Sequence, residues 1–134
     1  MLLLRHKSMG DPYSRIAIVQ PFIGDGTDYR VFVVGDEVVA SMVRKPSSDD
    51  WRSNVARGGI AHAVKLNADA HETAIKAVKA LDLDYAGVDL LYSDDGDYVV
   101  NEVNAIPEFK GLMSVSGVNI ARKIAEYVIN TVRR

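Results

Sequence analysis

The chain has no cysteine among its 134 residues. That excludes disulfides, thiolate metal centres and a cysteine nucleophile, while leaving the compartment open. Histidine is scarce: His6, His62 and His71 have no ligand-like spacing, so an imidazole-based metal site is not expected. Long apolar runs are missing as well. Met1-Leu-Leu-Leu gives way at once to Arg5, His6 and Lys7, too short for a signal-peptide core or a membrane span. The chain therefore reads as cytoplasmic. Strong charge of one sign is also lacking. A formal net charge of −2 offers no global electrostatic argument for nucleic acid or an anionic membrane as a partner. No internal repeat or low-complexity tract occurs.

What is present suits one globular domain. Hydrophobic residues make up 48% and charged residues 25%, enough apolar surface for a core and an ordinary solvated exterior. Residues 1–15 carry little pattern, and Gly10-Asp11-Pro12 breaks any element there. Ile16 to Ile23 reads as a strand running into a glycine-rich loop, Gly24-Asp-Gly-Thr27. Tyr29 to Val34 and Glu37 to Val43 alternate around Gly35-Asp36, the signal of a hairpin. Residues 44–59 read as a polar loop containing Pro46, Gly58 and Gly59. Asp69 to Leu83 has helical spacing, with Ala70, Ala74, Ala77, Val78 and Leu81 on its apolar face and Asn67 or Asp69 as its cap. Residues 105–117 read as a loop. A last helix follows, capped by Asn119, with Ile120, Ile124, Tyr127 and Val128 recurring on one side. The expected fold class is α+β, an antiparallel sheet with packed helices.

The segment from Tyr85 to Asn104 carries the chemistry. Asp95-Gly96 is a two-residue hairpin signal. With that turn, Ser93 falls opposite Tyr98, Asp94 opposite Asp97, and Asp89 opposite Glu102. Asn104 shares the face of Glu102, because side chains alternate along a strand. Two opposed carboxylates destabilise a bare sheet. At ~5 Å and an effective dielectric of ~20 their repulsion is roughly 3 kcal/mol. A divalent cation would reverse that sign, and Asp, Glu and an Asn carbonyl are hard oxygen ligands suited to Mg²⁺ or Mn²⁺. The hairpin alone leaves two readings open: a cation site, or a solvent-facing polar stripe with one strained pair. Val88, Leu90, Val99 and Val103 make the strands half-buried, which favours a cleft.

Four arginines stand in loop-like stretches or at strand ends: Arg30, Arg44, Arg52 and Arg57. A guanidinium donates to phosphate as a planar fork, and Gly58-Gly59 would let backbone N–H groups approach an anion. Together with the carboxylate hairpin they suggest a metal–polyphosphate site, the pairing that phosphoryl transfer requires.

These stretches, in order, resemble the ATP-grasp carboxylate–amine ligases of the RimK/LysX-like branch. The resemblance rests on Val19-Gln-Pro-Phe-Ile23, Asp28-Tyr-Arg30, Val34-Gly-Asp-Glu-Val-Val-Ala40, Arg44, Trp51-Arg-Ser-Asn54, Arg57-Gly-Gly59, Ala86-Gly-Val-Asp89, Val100-Asn-Glu-Val-Asn104 and Gly117-Val-Asn-Ile120. It implies an ATP-dependent ligase that forms an amide through an acyl-phosphate. It implies two ions, Mg²⁺ or Mn²⁺, held by Asp89, Glu102 and Asn104. It places adenine against Gln20, Pro21 and Phe22, ribose at Asp28, and phosphate at Arg52, Ser53 and Asn54. Arg30 and Arg44 would face phosphate or the acyl-phosphate as catalytic groups beside Glu102, and Arg57, Gly58 and Gly59 would meet the acceptor substrate. Glu108-Phe-Lys110 is similar to a stretch of the lysine-biosynthesis branch, or else simply caps the hairpin. Implied partners are ATP, a carboxylate, an amine such as glutamate, and a carrier or target protein. Residues 16–134 would then be the C-terminal subdomain, without the N-terminal domain and lid of such ligases. A partner chain or a homo-oligomer would complete it. A non-catalytic nucleotide- or protein-binding remnant is the alternative.

Overall fold

The computed structural model describes residues 21–45 and 60–133. Its centre is a five-stranded sheet, antiparallel throughout, in the spatial order β3-β2-β1-β4-β5. The strands are β1 (Asp28–Val34), β2 (Glu37–Lys45), β3 (Ile60–Ala63), β4 (Tyr85–Tyr92) and β5 (Tyr98–Asn104). Among the described residues three helices pack with it: α1 (Ala68–Ala80), α2 (Lys110–Ser116) and α3 (Ile120–Val132). The α+β expectation holds. No helix among the described residues is long and apolar enough to cross a membrane.

Period-2 alternation splits the strands into two apolar faces. Val31 and Val33 on β1 and Ala86, Val88 and Leu90 on β4 pack against Ala70, Ala74 and Val78 of α1. The opposite face carries Phe32, Val34, Ala40 and Met42, covered by Leu112 of α2 and Ile120 of α3. That second cover reaches only part of the sheet. Beyond it, the same face carries the charged residues described below.

Both helix caps follow from the sequence. Asn67 Oδ1 accepts from the N–H of Ala70 at 3.1 Å, and Asn119 Oδ1 from that of Arg122 at 3.0 Å, each satisfying an orphan donor of the first turn. The end of α1 differs from expectation. The helix stops at Ala80, Asp82 adopts a left-handed conformation (φ 53°), and Leu81 is 56% exposed rather than on the apolar face. The left-handed residue turns the chain so that Leu83, not Leu81, packs on the sheet. Val128 of α3 is likewise half-exposed, while Ile120, Ile124 and Tyr127 pack inward.

Residues 105–117 are not one loop, because they contain α2. Its end is set by Gly117 at φ 70°, whose N–H bonds to Met113 O. Arg44 lies at the end of β2, as its strand-end position suggested, and Lys45, expected in the polar loop, extends the strand; they pair with Ala61 and Ile60 of β3. Of the strand expected over 16–23, residues 16–20 lie outside the described residues, and Pro21, Phe22 and Ile23 belong to no strand or helix. Residues 1–15 and 46–59 also lie outside them.

The β4–β5 hairpin reaches the expected pairing by an unexpected route. Tyr92 is opposite Tyr98, the Ser93 N–H bonds to Asp97 O, and Gly96 sits at φ 94°. The connection is therefore Asp94-Asp95-Gly96, one residue longer than expected. Ser93 is not opposite Tyr98, and Asp94 is not opposite Asp97. A bulge then restores the register: Leu90 pairs with Val100 but Asp89 with Glu102, leaving Asn101 as the extra residue.

Candidate functional site

A row of charge runs across four strands at one end of the face opposite α1, and the register writes it. Asp28 on β1 is directly opposite Arg44 on β2. Arg30 on β1 is opposite Asp89 on β4. Asp89 is opposite Glu102 on β5, and Gly87 is opposite Asn104. The loop before β1 delivers Asp28. Gly24 and Gly26 take positive φ, and Asp25 Oδ1 accepts from the Thr27 N–H at 2.9 Å. That backbone hydrogen bond holds the Asp25 carboxyl below the usual carboxylate range.

The row is an alternating ladder of ion pairs. Arg30 grips Asp89 with both prongs of its guanidinium, Nε to Oδ1 and Nη2 to Oδ2, the latter at 2.6 Å. Arg44 grips Asp28 in the same way, at 2.6 and 2.7 Å. Its Nη2 also lies 3.0 Å from Asp89 Oδ1 and so joins the two pairs. Asp89 is 4% exposed and Asp28 9% exposed, so the ladder is sunk into the sheet. Burial opposes the Arg44 charge, but its hydrogen bond to Asp28 and the charges of Asp89 and Asp28 outweigh it and hold the guanidinium above its ordinary range.

The charge of Asp89 is thus answered by two arginines, which the sequence reading had assigned to phosphate. The predicted juxtaposition of Asp89 and Glu102 is present, yet their repulsion needs no ion to relieve it. Glu102 is exposed and makes no ion pair among the described residues.

Asp89, Glu102 and Asn104 occupy one face of two neighbouring strands, as a shared oxygen-donor set requires. A carboxylate offers about four lone-pair positions. Three guanidinium contacts occupy Asp89, which leaves a position on Oδ2. The Asn104 amide nitrogen is buried with no hydrogen-bond partner among the described residues. An orphaned buried N–H donor is costly, and an acceptor such as a phosphate oxygen beside it would relieve that cost. The Asn104 amide oxygen and the two carboxylates are hard oxygen donors, and their chemistry fits a divalent cation. No group of three or more His, Cys, Asp or Glu residues that could hold a metal ion gathers anywhere among the described residues.

A glycine clears the ground. A Cβ on Gly87 would lie 2.9 Å from Pro107 Cβ and 3.4 Å from Arg30 Cδ. Only glycine lets Pro107 fold over β4 while the Arg30 stem passes beside it, and a glycine inside a strand is the sequence signal for such an approach. Gly87→Ala is expected to cost about 1–3 kcal/mol by overpacking, measured by urea denaturation. Neither Gly87 nor Pro107 was singled out from the sequence.

Of the other predicted site residues, Phe22 is 63% exposed, and Pro21 lies exposed next to it. Gln20, Arg52, Ser53, Asn54, Arg57, Gly58 and Gly59 lie outside the described residues. Phe109 is a packing residue. Its ring meets Phe32 edge-on at 5.7 Å, while Glu108 and Lys110 on either side are exposed.

The family model for the RimK-like ATP-grasp domain matches residues 6–128. The chain belongs to the RimK-like ATP-grasp family. Among curated relatives, it is 45% identical over 113 residues to a probable alpha-L-glutamate ligase of Picosynechococcus, covering 83% of this chain and 37% of the relative. It is 34% identical over 128 residues to the glutamate–LysW ligase ArgX of Sulfurisphaera tokodaii, covering 94% of this chain and 45% of the relative. The chain thus spans about two fifths of the length of these relatives. Among solved structures, the ATP-grasp ligase PsnB complexed with minimal precursor, Mg and ADP superposes with a TM-score of 0.66 at 25% identity, over 81% of this chain and 33% of that one. The ATP-grasp sheet is therefore the frame on which the charged row stands.

Proposed function

We propose that this chain supplies the metal- and nucleotide-binding sheet of an ATP-dependent carboxylate–amine ligase. The observation that carries the reading is the placement of Asp89, Glu102 and Asn104 on one face beside the guanidinium groups of Arg30 and Arg44. In the reaction proposed, a substrate carboxylate oxygen attacks the γ-phosphorus of ATP and ADP leaves, giving an acyl-phosphate. An amine then attacks the acyl carbon, phosphate leaves, and a proton is lost from nitrogen, giving the amide. Mg²⁺ held by Asp89, Glu102 and Asn104 would neutralise charge on the phosphate oxygens when bound. Whether Mn²⁺ replaces it, and whether two ions bind, belongs to the same proposal.

Arg30 and Arg44 have the always-charged forks that stabilise a transferring phosphoryl group. Their carboxylate partners keep them fixed at the site before substrate arrives, which lowers the reorganisation that the reaction needs. Adenine is assigned to Gln20, Pro21 and Phe22, further phosphate contacts to Arg52, Ser53 and Asn54, and the acceptor to Arg57, Gly58 and Gly59. The names of the relatives support glutamate as one substrate, and that of the LysW ligase a second substrate such as LysW.

Glu102 separates binding from stability. It is exposed, so Glu102→Ala is expected to change folding stability by no more than about 0.5 kcal/mol. Its affinity for Mg²⁺–ADP, measured by calorimetry, is expected to fall at least tenfold, or about 1.4 kcal/mol. Equal affinity in the folded variant and the parent chain would remove the metal assignment.

A further inference from the structure

We infer that Pro107 is a positioning residue, a wedge that sets which end of the Asn104 amide faces the candidate cation site. Asn104 stands directly opposite Gly87 of β4. Cross-strand partners carry their side chains on one face, with Cβ atoms about 5 Å apart. A side chain at position 87 would therefore lie beside Asn104, but glycine leaves that slot empty. Pro107 fills it. The chain bends at Ala105 and Ile106, both exposed, and returns to bury Pro107 on the sheet. Its Cβ lies 2.9 Å and its Cγ 3.7 Å from where a Gly87 Cβ would stand. Two residues on, the Phe109 ring meets Phe32, which is the partner of Gly87 on β1. The strap from Ala105 to Phe109 is thus anchored twice on this face.

Arg30 also borders the slot, with its Cδ at 3.4 Å, but its fork to Asp89 already fixes it. Asn104 has no such tie. No side-chain hydrogen bond among the described residues holds its amide, and the amide nitrogen is buried. The torsion that turns an amide is broad and nearly two-fold, so it does not by itself separate the two orientations. Their chemistry differs. The oxygen ligates a cation, whereas the NH₂ group presents two donors and repels one. Packing must make the choice, and the ring in the adjoining slot is what packs there. Proline suits the task, because its φ is fixed and it has no N–H to strand beneath the strap. The inference rests on the proposed function, which reads Asn104 as a ligand, and adds what orients it.

The first test uses the full chain without ligand and reads the asparagine side-chain amides in ¹H–¹⁵N spectra. Asn104 is expected to give two well-separated, slowly exchanging Hδ2 signals. Pro107→Gly should bring them to solvent-like exchange while leaving those of the helix caps Asn67 and Asn119 unaltered. An Asn104 pair that Pro107→Gly does not alter overturns the inference. Equal loosening of all three asparagines also overturns it, since that marks a general weakening of the fold.

The second test is calorimetry with Mg²⁺–ADP. Pro107→Gly is expected to weaken binding roughly fivefold or more, and to add nothing further in an Asn104→Ala background. A loss as large in that background as in the parent chain places the effect elsewhere and overturns the inference. Gly87→Ala, which overpacks the parent chain, should be tolerated in Pro107→Gly and restore part of the affinity, because the new Cβ enters the vacated slot. If Gly87→Ala costs as much stability in both backgrounds, the two residues do not share the slot and the inference fails. Should Pro107→Gly not fold, Pro107→Ala takes its place in both tests, with the same outcomes deciding. A parent chain that does not bind Mg²⁺–ADP defeats the proposed function, while the Asn104 spectrum still decides whether Pro107 fixes its amide.

Discussion

Asp89→Ala is expected to lower folding stability by about 3–5 kcal/mol, the range for removing one partner of a buried ion pair. The side chain is 5% exposed and takes charge from both Arg30 and Arg44. Its loss leaves the Arg30 guanidinium with no partner among the described residues and Arg44 with half of its bridge. In urea denaturation the midpoint should fall with little change in slope, since the surface exposed on unfolding is nearly the same. Asp89→Ala combined with Arg30→Met should recover part of the loss, because the uncompensated cation is then gone as well. A single variant as stable as the parent chain would show that the ladder is not formed in solution. Nucleotide binding should be lost too. That result alone cannot separate ligand loss from misfolding, and for this reason Glu102 is the cleaner probe of the metal.

Phe32→Ala is expected to cost a similar amount, about 3–5 kcal/mol, for a different reason. Phe32 is 0% exposed, stacks on Tyr85 with centroids 6.5 Å apart, and meets Phe109 edge-on at 5.7 Å. Truncation leaves a cavity under α2, lined by rings that cannot collapse into it. Phe32 is also two residues from Arg30 on the same strand face. Loosening the apolar half of that face should therefore speed exchange of the Arg30 and Arg44 Nε–H signals, with no charge altered. Hydrogen exchange across α2 should rise to match. A cost under 1 kcal/mol would mean that α2 and the Phe109 ring close over the gap.

The carboxylate hairpin shows how a correct reading can rest on an incomplete one. Asp95-Gly96 pointed to a two-residue turn and so to Asp89 opposite Glu102. The turn has three residues, and a bulge at Asn101 shifts the pairing back. The two departures cancel. Both choices depend on how β5 lies along β4, and the residue pattern alone does not encode that. By contrast, Asn67 and Asn119 were legible as caps because a cap is a contact between a side chain and backbone three residues away. The helix α2 was not legible. It has seven residues and one buried side chain, Leu112, too short for its periodicity to show.

By itself the sequence determined what is local or periodic: the alternating strands, the capped helices, the turn signals, and the kinds of side chain available for chemistry. An oxygen-donor set with arginines nearby, and no thiol or paired imidazole, already pointed to a hard cation and phosphate. Only the tertiary structure decided which charge answers which. Arg30 and Asp89 stand 59 residues apart and meet because β1 pairs with β4 rather than with its neighbours in sequence alone. Cross-strand partners depend on register, and register depends on burying both apolar faces at once. Once Val31 and Val88 turn toward α1, Arg30 and Asp89 must share the other face. The ion-pair ladder is thus a consequence of core packing, and no inspection of the charged residues alone would reveal it.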